Sequence, residues 1–308
     1  MDCQPNLLTR LTYKNKFCCI ITYINFFQEP IMSYFSVVNS HLNEAESKMV
    51  QIMQSVSPFI KKEYDDSQSV LASLFLTLHL SSLSIIKLLE IRAVFDAEII
   101  LRSVLEGTIR YCFLITGGDV ERREKYNEYK IILTDLHNLQ DHYKAIRTIE
   151  TLKKYSTNST VPFELSVLDD VEVDRIEQTY SGKVKNEVRT KWSFNHLLES
   201  LADHNELYRA QLGSSFSYSA SSHLLHFDWI GVSQRILASS SSLTEDIDHA
   251  IGHALRILSN TMSFLLFRLA EYLQVSETRG KVTAKLALDL YDQISEIDNQ
   301  LKNIIDVQ

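Results

Sequence analysis

Apolar residues recur every three or four positions along almost the whole chain, with polar residues between them. This spacing predicts amphipathic α-helices, and no window of eight residues shows the sustained alternation of a strand. The predicted helices cover roughly residues 33–56, 65–91, 93–116, 119–154, 164–182, 193–210, 213–238, 243–274 and 278–305. We therefore expect an all-α fold without a sheet, a bundle of about eight to nine helices, most of them long and antiparallel.

The last predicted helix carries the most regular apolar stripe. Its positions step by four or three residues and are Val282, Leu286, Leu290, Ile294, Ile297, Leu301 and Ile304. Such a stripe predicts a helix that is packed along its whole length. We expect residues 32–275 to form the bundle core, and residues 276–308 to form a C-terminal helix that packs on the core or on a partner.

Glycine and proline are scarce, with 8 Gly and 4 Pro among 308 residues. Because turn-rich sandwiches, barrels and glycine-loop nucleotide folds need these residues at their corners, the composition disfavours such folds. Most glycines and prolines fall at predicted helix ends, but Gly107 and Gly231 lie inside helices, near Glu106 and His226. Gly252 is a third interior glycine. We expect close approach of neighbouring chain segments at Gly107 and Gly231.

The first 31 residues differ from the rest, because three basic residues precede an apolar run over 17–27 that ends before Pro30. This run is too short to span a bilayer, which needs about 20 residues, and it lacks a small-residue cleavage site. We expect residues 1–31 to be a flexible arm or a misassigned start, with the domain beginning near Met32. A membrane-associated segment is the alternative. The apolar stretch 71–91 carries His79 and charged residues, which favours a buried helix over a membrane span.

The net charge of −8 excludes coating of nucleic acid by bulk electrostatics but leaves room for RNA at a local site. Three of the four cysteines lie in the first 19 residues and Cys112 stands alone, so neither a disulfide framework nor a zinc site is predicted. The default compartment is then the cytoplasm. His249 and His253 are four residues apart but lack further ligands at a recognisable spacing, and we predict no metal and no other cofactor.

Glu98, Arg102, Glu106 and Arg110 follow one another at four-residue spacing and therefore share one face of a helix. Such a row can be a chain of intrahelical ion pairs. The same helix is otherwise so apolar that the row is predicted to be half-buried, and buried charges need partners or a function. Both interpretations, structural pairing and a site lined by Arg102 and Glu106, remain open.

A second candidate cluster lies in the helix that contains Tyr218, Ser222 and His226. Ser222 and His226 are four residues apart, with Tyr218 one turn earlier, so hydroxyl and imidazole groups share a face. Histidine exchanges protons near neutral pH, and polar neighbours fix its tautomer. The alternative is a satisfied core histidine. Sequence motifs of phosphate-binding loops, nucleophile elbows and zinc hydrolases are absent.

The stretches AEIILRSVLEGTIRYCFLI, KWSFNHLLE and LYRAQLGSSFSYSASSHLLHFD resemble an uncharacterised bacterial all-helical family over about residues 65–270. Its members show an Arg-x-x-x-Glu helix followed by a Trp, a Tyr and a Ser-x-x-x-His helix. The resemblance implies that the matching residues meet in space: Arg102, Glu106, Trp192, Tyr208, Ser222 and His226. More loosely, the chain resembles the HEPN superfamily, whose members are often dimeric, metal-independent ribonucleases of antiphage and toxin systems. Only Arg189 and His196 have the HEPN Arg-to-His spacing, a match expected by chance.

These observations lead to two functional expectations. The first is a helical-bundle effector of the defence or toxin type with ribonuclease activity, in which His226 transfers protons, Arg102 holds the phosphate and Glu106 orients Arg102. The substrate-binding residues would be Ser222, Tyr218, Trp192 and Tyr208. The second is a non-enzymatic interaction or scaffold module that dimerises through its long helices. In both cases a homodimer is the expected assembly.

Overall fold

The computed structural model describes residues 28–60, 66–155, 160–209, 211–238, 243–275 and 281–306. Within these ranges all regular structure is helical and no strand occurs, so the predicted all-α fold is confirmed. Residues 1–27, which hold most of the predicted N-terminal arm, lie outside the described residues. The first described helix begins at Gln28, four residues before Met32.

The helices are more numerous than expected, because the chain between residues 160 and 238 is divided into short segments. In chain order they are α1 (Gln28–Ile60), α2 (Asp66–Glu90), α3 (Val94–Ile115), α4 (Asp119–Asn127), α5 (Leu133–Lys154), α6 (Val161–Glu164), α7 (Asp170–Thr179), α8 (Gly182–Lys191), α9 (Phe194–His204), α10 (Glu206–Arg209), α11 (Ser214–His226), α12 (Trp229–Ala238), α13 (Leu243–Val275) and α14 (Lys281–Asp306). A π-helical segment, Glu128–Ile132, joins α4 to α5 without a break.

Helix α3 is the centre of the bundle. It packs against α2, α13, α11 and α9, so its side chains are buried in several directions rather than along one stripe. Leu101, Val104 and Leu114 are among its buried residues. Each fully buried aliphatic side chain contributes about 1.5–3 kcal/mol of hydrophobic stabilisation. The polar residues of α3 must therefore find partners on the surrounding helices.

A buried arginine crosses the core beside α3. Arg268 of α13 is 0% exposed, and its Nη1 and Nη2 donate to the hydroxyls of Thr108 on α3 and Ser82 on α2, at 2.5 and 3.3 Å. Burial lowers the pKa of Arg268 to about 10, so the guanidinium remains charged at neutral pH. The three helices are thus joined at one point by hydrogen bonds to a buried cation.

The C-terminal helix α14 packs on α13 and α1 of the same chain. Its stripe residues Leu290 and Ile297 are fully buried, and Gln300 Oε1 lies 2.8 Å from His41 Nε2 of α1. Ser55 and Thr283 add a hydroxyl–hydroxyl hydrogen bond of 2.7 Å between α1 and α14. This chain's own helices therefore cover the stripe from Leu286 to Ile304. The prediction of packing along the whole helix is wrong at Val282, which is 69% exposed.

One described helix is long and apolar enough to cross a bilayer, over Ser69–Glu90 in α2. Core helices meet the same test of length and composition. Here Phe75, Ile85 and Ile86 are buried in the bundle core, and Ser82 accepts the Arg268 hydrogen bond described above.

Two interior glycines lie where another part of the chain comes close, as predicted. A Cβ on Gly231 would lie 2.3 Å from the backbone oxygen of His223, and one on Gly107 would lie 2.3 Å from Cδ2 of Leu78. Gly252 differs, because a Cβ there would lie at an ordinary contact distance of 3.7 Å from Cδ1 of Leu301. Gly231 therefore permits the tight corner between α11 and α12.

We expect Gly231→Ala to lower the free energy of unfolding by about 1–3 kcal/mol, because the backbone of His223 cannot rotate away as a side chain could. Gly252→Ala is the matched control and should raise stability by up to about 1 kcal/mol through helix propensity. Urea unfolding followed by circular dichroism measures both values. Equal effects of the two substitutions would contradict the close approach at Gly231.

Candidate functional site

The charged row of α3 makes contacts within its own helix and with α11 and α13. Glu106 Oε1 accepts a hydrogen bond from Arg110 Nη2 at 2.6 Å, and Glu106 Oε2 accepts one from the Tyr218 hydroxyl at 3.2 Å. The pairing interpretation therefore describes Glu106 and Arg110. The same carboxylate also fixes Tyr218 against α3.

Arg102 has a different environment from the rest of the row. Its guanidinium carbon lies 4.1 Å from the centroid of the Tyr218 ring, a cation–π geometry. Phe194 stacks on the same ring at 4.2 Å, so the tyrosine is held in place. Within the described part of the chain, Arg102 makes no ion pair and its Nε has no hydrogen-bond partner. The guanidinium is thus positioned by an aromatic face while its charge stays unneutralised.

Glu98, one turn before Arg102, is the most heavily paired carboxylate of the row. Only 5% exposed, it accepts hydrogen bonds from Ser221 Oγ at 2.9 Å and from Arg256, and it lies 2.5 Å from His253 Nε2. Burial by itself raises the pKa of Glu98, but the hydrogen bond from His253 and the charge of Arg256 outweigh it and lower the pKa to about 2. Glu98 is therefore ionised and orients the imidazole of His253.

Glu98, Arg102 and Tyr218 border an open cleft of about 260 Å³ between α3, α11 and α13, which we name the arginine cleft. His253 and Arg256 contact Glu98 but are not among its lining residues. Its polar lining includes Glu98, Arg102, Gln211, Tyr218, Ser221 and Asn260. Arg256, outside the lining, pairs with Glu98 and offsets the charge of that carboxylate. Arg102 then supplies a positive charge to the cleft in a protein whose net charge is −8, which favours an anionic ligand.

The structure brings together only part of the predicted site. Arg102, Glu106 and Tyr218 meet as described, and Ser222 is half-buried on the same helix as Tyr218. His226 lies in the last turn of α11, exposed, and is not among the residues that line the arginine cleft. Its neighbour His223 binds Asp228, with 2.5 Å between Nδ1 and Oδ2.

The two remaining predicted residues belong to other clusters. Trp192 is buried beside Phe113 and Tyr129, and its Nε1 donates to Glu128 at 2.9 Å. Tyr208 is buried and donates its hydroxyl to the carboxylate of Glu271. Burial, with the charges and hydrogen bonds around it, raises the pKa of Tyr208. Neither aromatic residue lines the arginine cleft.

Sequence reasoning missed Ser221 and Arg256, and it considered His253 only as a metal ligand together with His249. Ser221 lies next to the predicted Ser222, and a step of one residue turns a side chain by about 100° around the helix. His253 and Arg256 are three residues apart on one face of α13, a spacing that could have marked them as partners for an acidic helix. In the described chain no group of three or more potential metal ligands occurs.

The lowered pKa of Glu98 predicts how the free energy of unfolding depends on pH. Since the folded pKa of about 2 lies below the ordinary value of 4.5, the stabilisation is complete above pH 4.5 and is lost as the pH falls towards 2. Glu98→Gln should cost about 3 kcal/mol at pH 7 and flatten this part of the pH profile. Urea unfolding from pH 7 to 2 measures the effect, with the exposed Glu296→Gln as control. Parallel profiles for wild type and Glu98→Gln would contradict the assignment.

A family described as a family of unknown function (DUF5677) matches residues 68–242, more than half of the chain. No curated protein and no solved structure matches the chain. The matched region contains Arg102 and Tyr218, whereas His253 and Arg256 lie beyond its end. The predicted resemblance to an uncharacterised all-helical family is confirmed, and the HEPN resemblance stays a prediction. The chain belongs to this family of unknown function, DUF5677.

Proposed function

We propose that the protein is a metal-independent ribonuclease, an effector of the defence or toxin type, with its active site in the arginine cleft. The main support is the position of the Arg102 guanidinium, which lies over the Tyr218 ring without a carboxylate partner among the described residues. Arginine matches the geometry of phosphate oxygens and stays charged at all relevant pH values. Arg102 would therefore hold the phosphodiester and stabilise the charge that builds up during cleavage.

We assign proton transfer to His253, which does not itself line the arginine cleft but contacts the lining residue Glu98. Glu98 lies one helical turn from Arg102, about 6 Å along the helix axis. The ionised Glu98 carboxylate can only accept hydrogen bonds, so the imidazole of His253 must be the donor. In a neutral His253 imidazole, this contact places the proton on Nε2 and leaves Nδ1 able to accept a proton as a base. His226, the residue favoured by the sequence, has no comparable orienting carboxylate among its described contacts.

In the proposed reaction, His253 Nδ1 takes the proton of a ribose 2′-hydroxyl, and the 2′-oxygen attacks the adjacent phosphorus. The bond between phosphorus and the 5′-oxygen breaks, a 2′,3′-cyclic phosphate forms, and solvent in the open cleft supplies the proton to the leaving 5′-oxygen. The imidazole then returns its proton to solvent. Arg102 neutralises the extra negative charge on the phosphorane oxygens, and no metal or redox partner is needed for this balance.

The test is cleavage of end-labelled single-stranded RNA by purified protein in EDTA. We expect His253→Gln to lower the rate by about 10²–10⁴-fold and Arg102→Ala by about 10²–10³-fold, the ranges for a general base and for one charge-stabilising donor. His249→Ala, one turn earlier on α13 and exposed, is the matched control and should stay within about twofold. Thermal unfolding of each variant separates loss of chemistry from loss of fold.

Three results would contradict the proposal. One is the absence of cutting by the wild-type protein, and another is unchanged cutting by both the His253 and Arg102 variants. The third is loss of activity in His226→Ala combined with full activity in His253→Gln, which would return proton transfer to the residue predicted from the sequence.

A second candidate function, self-association as an interaction module, is favoured by the corner between α11 and α12. Phe227 and Trp229 are 64% and 75% exposed there, and Ile230 is 51% exposed. Phe227 has a left-handed backbone with φ of 50°, and Asp228 Oδ1 accepts the Gly231 backbone N–H at 3.1 Å, so the corner is ordered. Exposed aromatic clusters of this kind are typical of interfaces. The proposed occupant is a second copy of the chain.

If this corner forms the dimer interface, Trp229→Ser should convert a dimer to a monomer in size-exclusion chromatography with light scattering. Leu288→Ser, which changes an exposed apolar residue on α14, is the control and should leave the mass unchanged. Dissociation by Leu288→Ser alone would instead place the interface on the C-terminal helix. A monomeric wild-type protein would rule out this candidate function.

A further inference from the structure

A second cleft, larger than the arginine cleft, lies where the π-helical segment passes α3 and α8. It has a volume of about 500 Å³, and we name it the π-segment cleft. Its lining residues on which the following argument rests are Arg110, Tyr129, Lys130, His137, Arg189 and Trp192. This volume falls within the range of about 300–1,000 Å³ that is usual for small-molecule sites.

The π-helical segment builds one wall of this cleft. Glu128, its first residue, accepts hydrogen bonds from Trp192 Nε1 at 2.9 Å and from Lys191 Nζ at 2.8 Å, which fixes the end of α8 against the segment. Tyr129, the next residue, packs against Trp192 with 5.4 Å between ring centroids. Single π-helical turns are rare in proteins as a whole, but a large share of those that occur lie at functional sites. The wall is therefore an ordered aromatic surface.

The charge of the π-segment cleft is opposite to that of the whole protein. Arg110, Lys130 and Arg189 line it together with His137, and no aspartate or glutamate is among its lining residues in the described chain. Arg189 is exposed and makes no ion pair or hydrogen bond within the described residues. Arg110 is paired with Glu106, which lies outside the lining, so Arg189 is the unpaired arginine of the cleft. In a protein whose net charge is −8, this local excess of cations favours an anion.

The apolar part of the lining restricts the class of anion. Val70 and Leu133 border the cleft beside Tyr129, so a ligand that fills it presents a flat apolar body as well as a charged group. Aromatic and aliphatic surfaces next to arginine and lysine are the combination that binds bases and phosphates in nucleic-acid proteins. A bare phosphate would leave the apolar side unused.

We propose that the π-segment cleft binds a nucleoside phosphate, with the phosphate on Arg189, beside Arg110 and Lys130, and the base against Tyr129 and Leu133. Two sources share this chemistry, a free nucleotide and a nucleotide of single-stranded RNA. Arg110 is two turns from Arg102 on α3, about 12 Å along the helix axis. A strand held in the arginine cleft could therefore continue into this one, although binding here does not depend on cleavage there.

Trp192 provides a local signal for the test. The chain has two tryptophans, and Trp229 is 75% exposed at the corner between α11 and α12. Trp229→Phe keeps an aromatic ring at that corner and leaves Trp192 as the single tryptophan. In this background, Trp192 fluorescence is titrated with AMP, with inorganic phosphate and with a 2′-O-methyl RNA hexanucleotide. The 2′-O-methyl groups prevent cleavage, so the binding result is independent of ribonuclease activity.

We expect a saturable fluorescence change with AMP or with the hexanucleotide. Arg189→Glu should weaken that binding about tenfold or more, the effect of one charge-assisted hydrogen bond to phosphate. Lys183→Glu is the matched control, since Lys183 is on the same helix, its side chain is 84% exposed and it does not line the cleft. It should change binding less than about twofold. Circular dichroism verifies that both variants remain folded.

The three ligands distinguish the outcomes. Saturation by AMP supports the proposal and assigns a free nucleotide, whereas saturation by the hexanucleotide alone supports it and assigns RNA. No saturable change with either, binding of inorganic phosphate as tight as that of AMP, or equal weakening by Arg189→Glu and Lys183→Glu would each overturn it. If AMP or the hexanucleotide binds to the π-segment cleft but the wild-type protein does not cut RNA, only the proposed ribonuclease function is contradicted.

Discussion

The burial of α3 on nearly all sides is the constraint that organises this bundle. A polar group that is removed from water must be given a partner, since an unpaired buried charge costs several kcal/mol. Glu98 therefore requires Ser221, His253 and Arg256, which come from α11 and α13. Thr108, further along α3, receives Arg268. These contacts fix where α11 and α13 lie on the central helix, and apolar packing then fills the space between them.

Arg102 is the one charged residue of the row that has no ion-pair partner among the described residues. Its neighbours along the row are neutralised by each other or by adjacent helices, whereas its own positive charge is steadied by the face of Tyr218. Tyr218 is in turn held by Glu106 and Phe194. The rigidity of the guanidinium thus comes from contacts that leave its hydrogen-bond donors available. Such preorganisation is what binding or transition-state stabilisation of an anion requires.

The local part of this structure could be predicted from the sequence and the long-range part could not. Periodicity is a local property, so it gave the helices, the shared face of Glu98 and Arg102, and the importance of Tyr218. The pairing of Glu98 with His253 joins residues 155 positions apart, and no periodic signal encodes which faces of two helices meet. For the same reason Ser222 was favoured over Ser221, because one residue of helix rotation decides which hydroxyl reaches the carboxylate.

The π-helical segment has a consequence for how the chain can change during evolution. A π turn holds one more residue than an α turn, and periodicity alone does not reveal it because α-helix continues on both sides. Because a π turn accommodates its extra residue locally, deletion of a single residue within 128–132 would restore regular α-helix and leave α4 and α5 on their present faces. It would remove the widened turn that presents Glu128 and Tyr129 to Trp192. Homologues that lack one residue in this segment would therefore retain the bundle but lose the aromatic wall. The number of residues in the segment thus distinguishes variants whose amino-acid composition is alike.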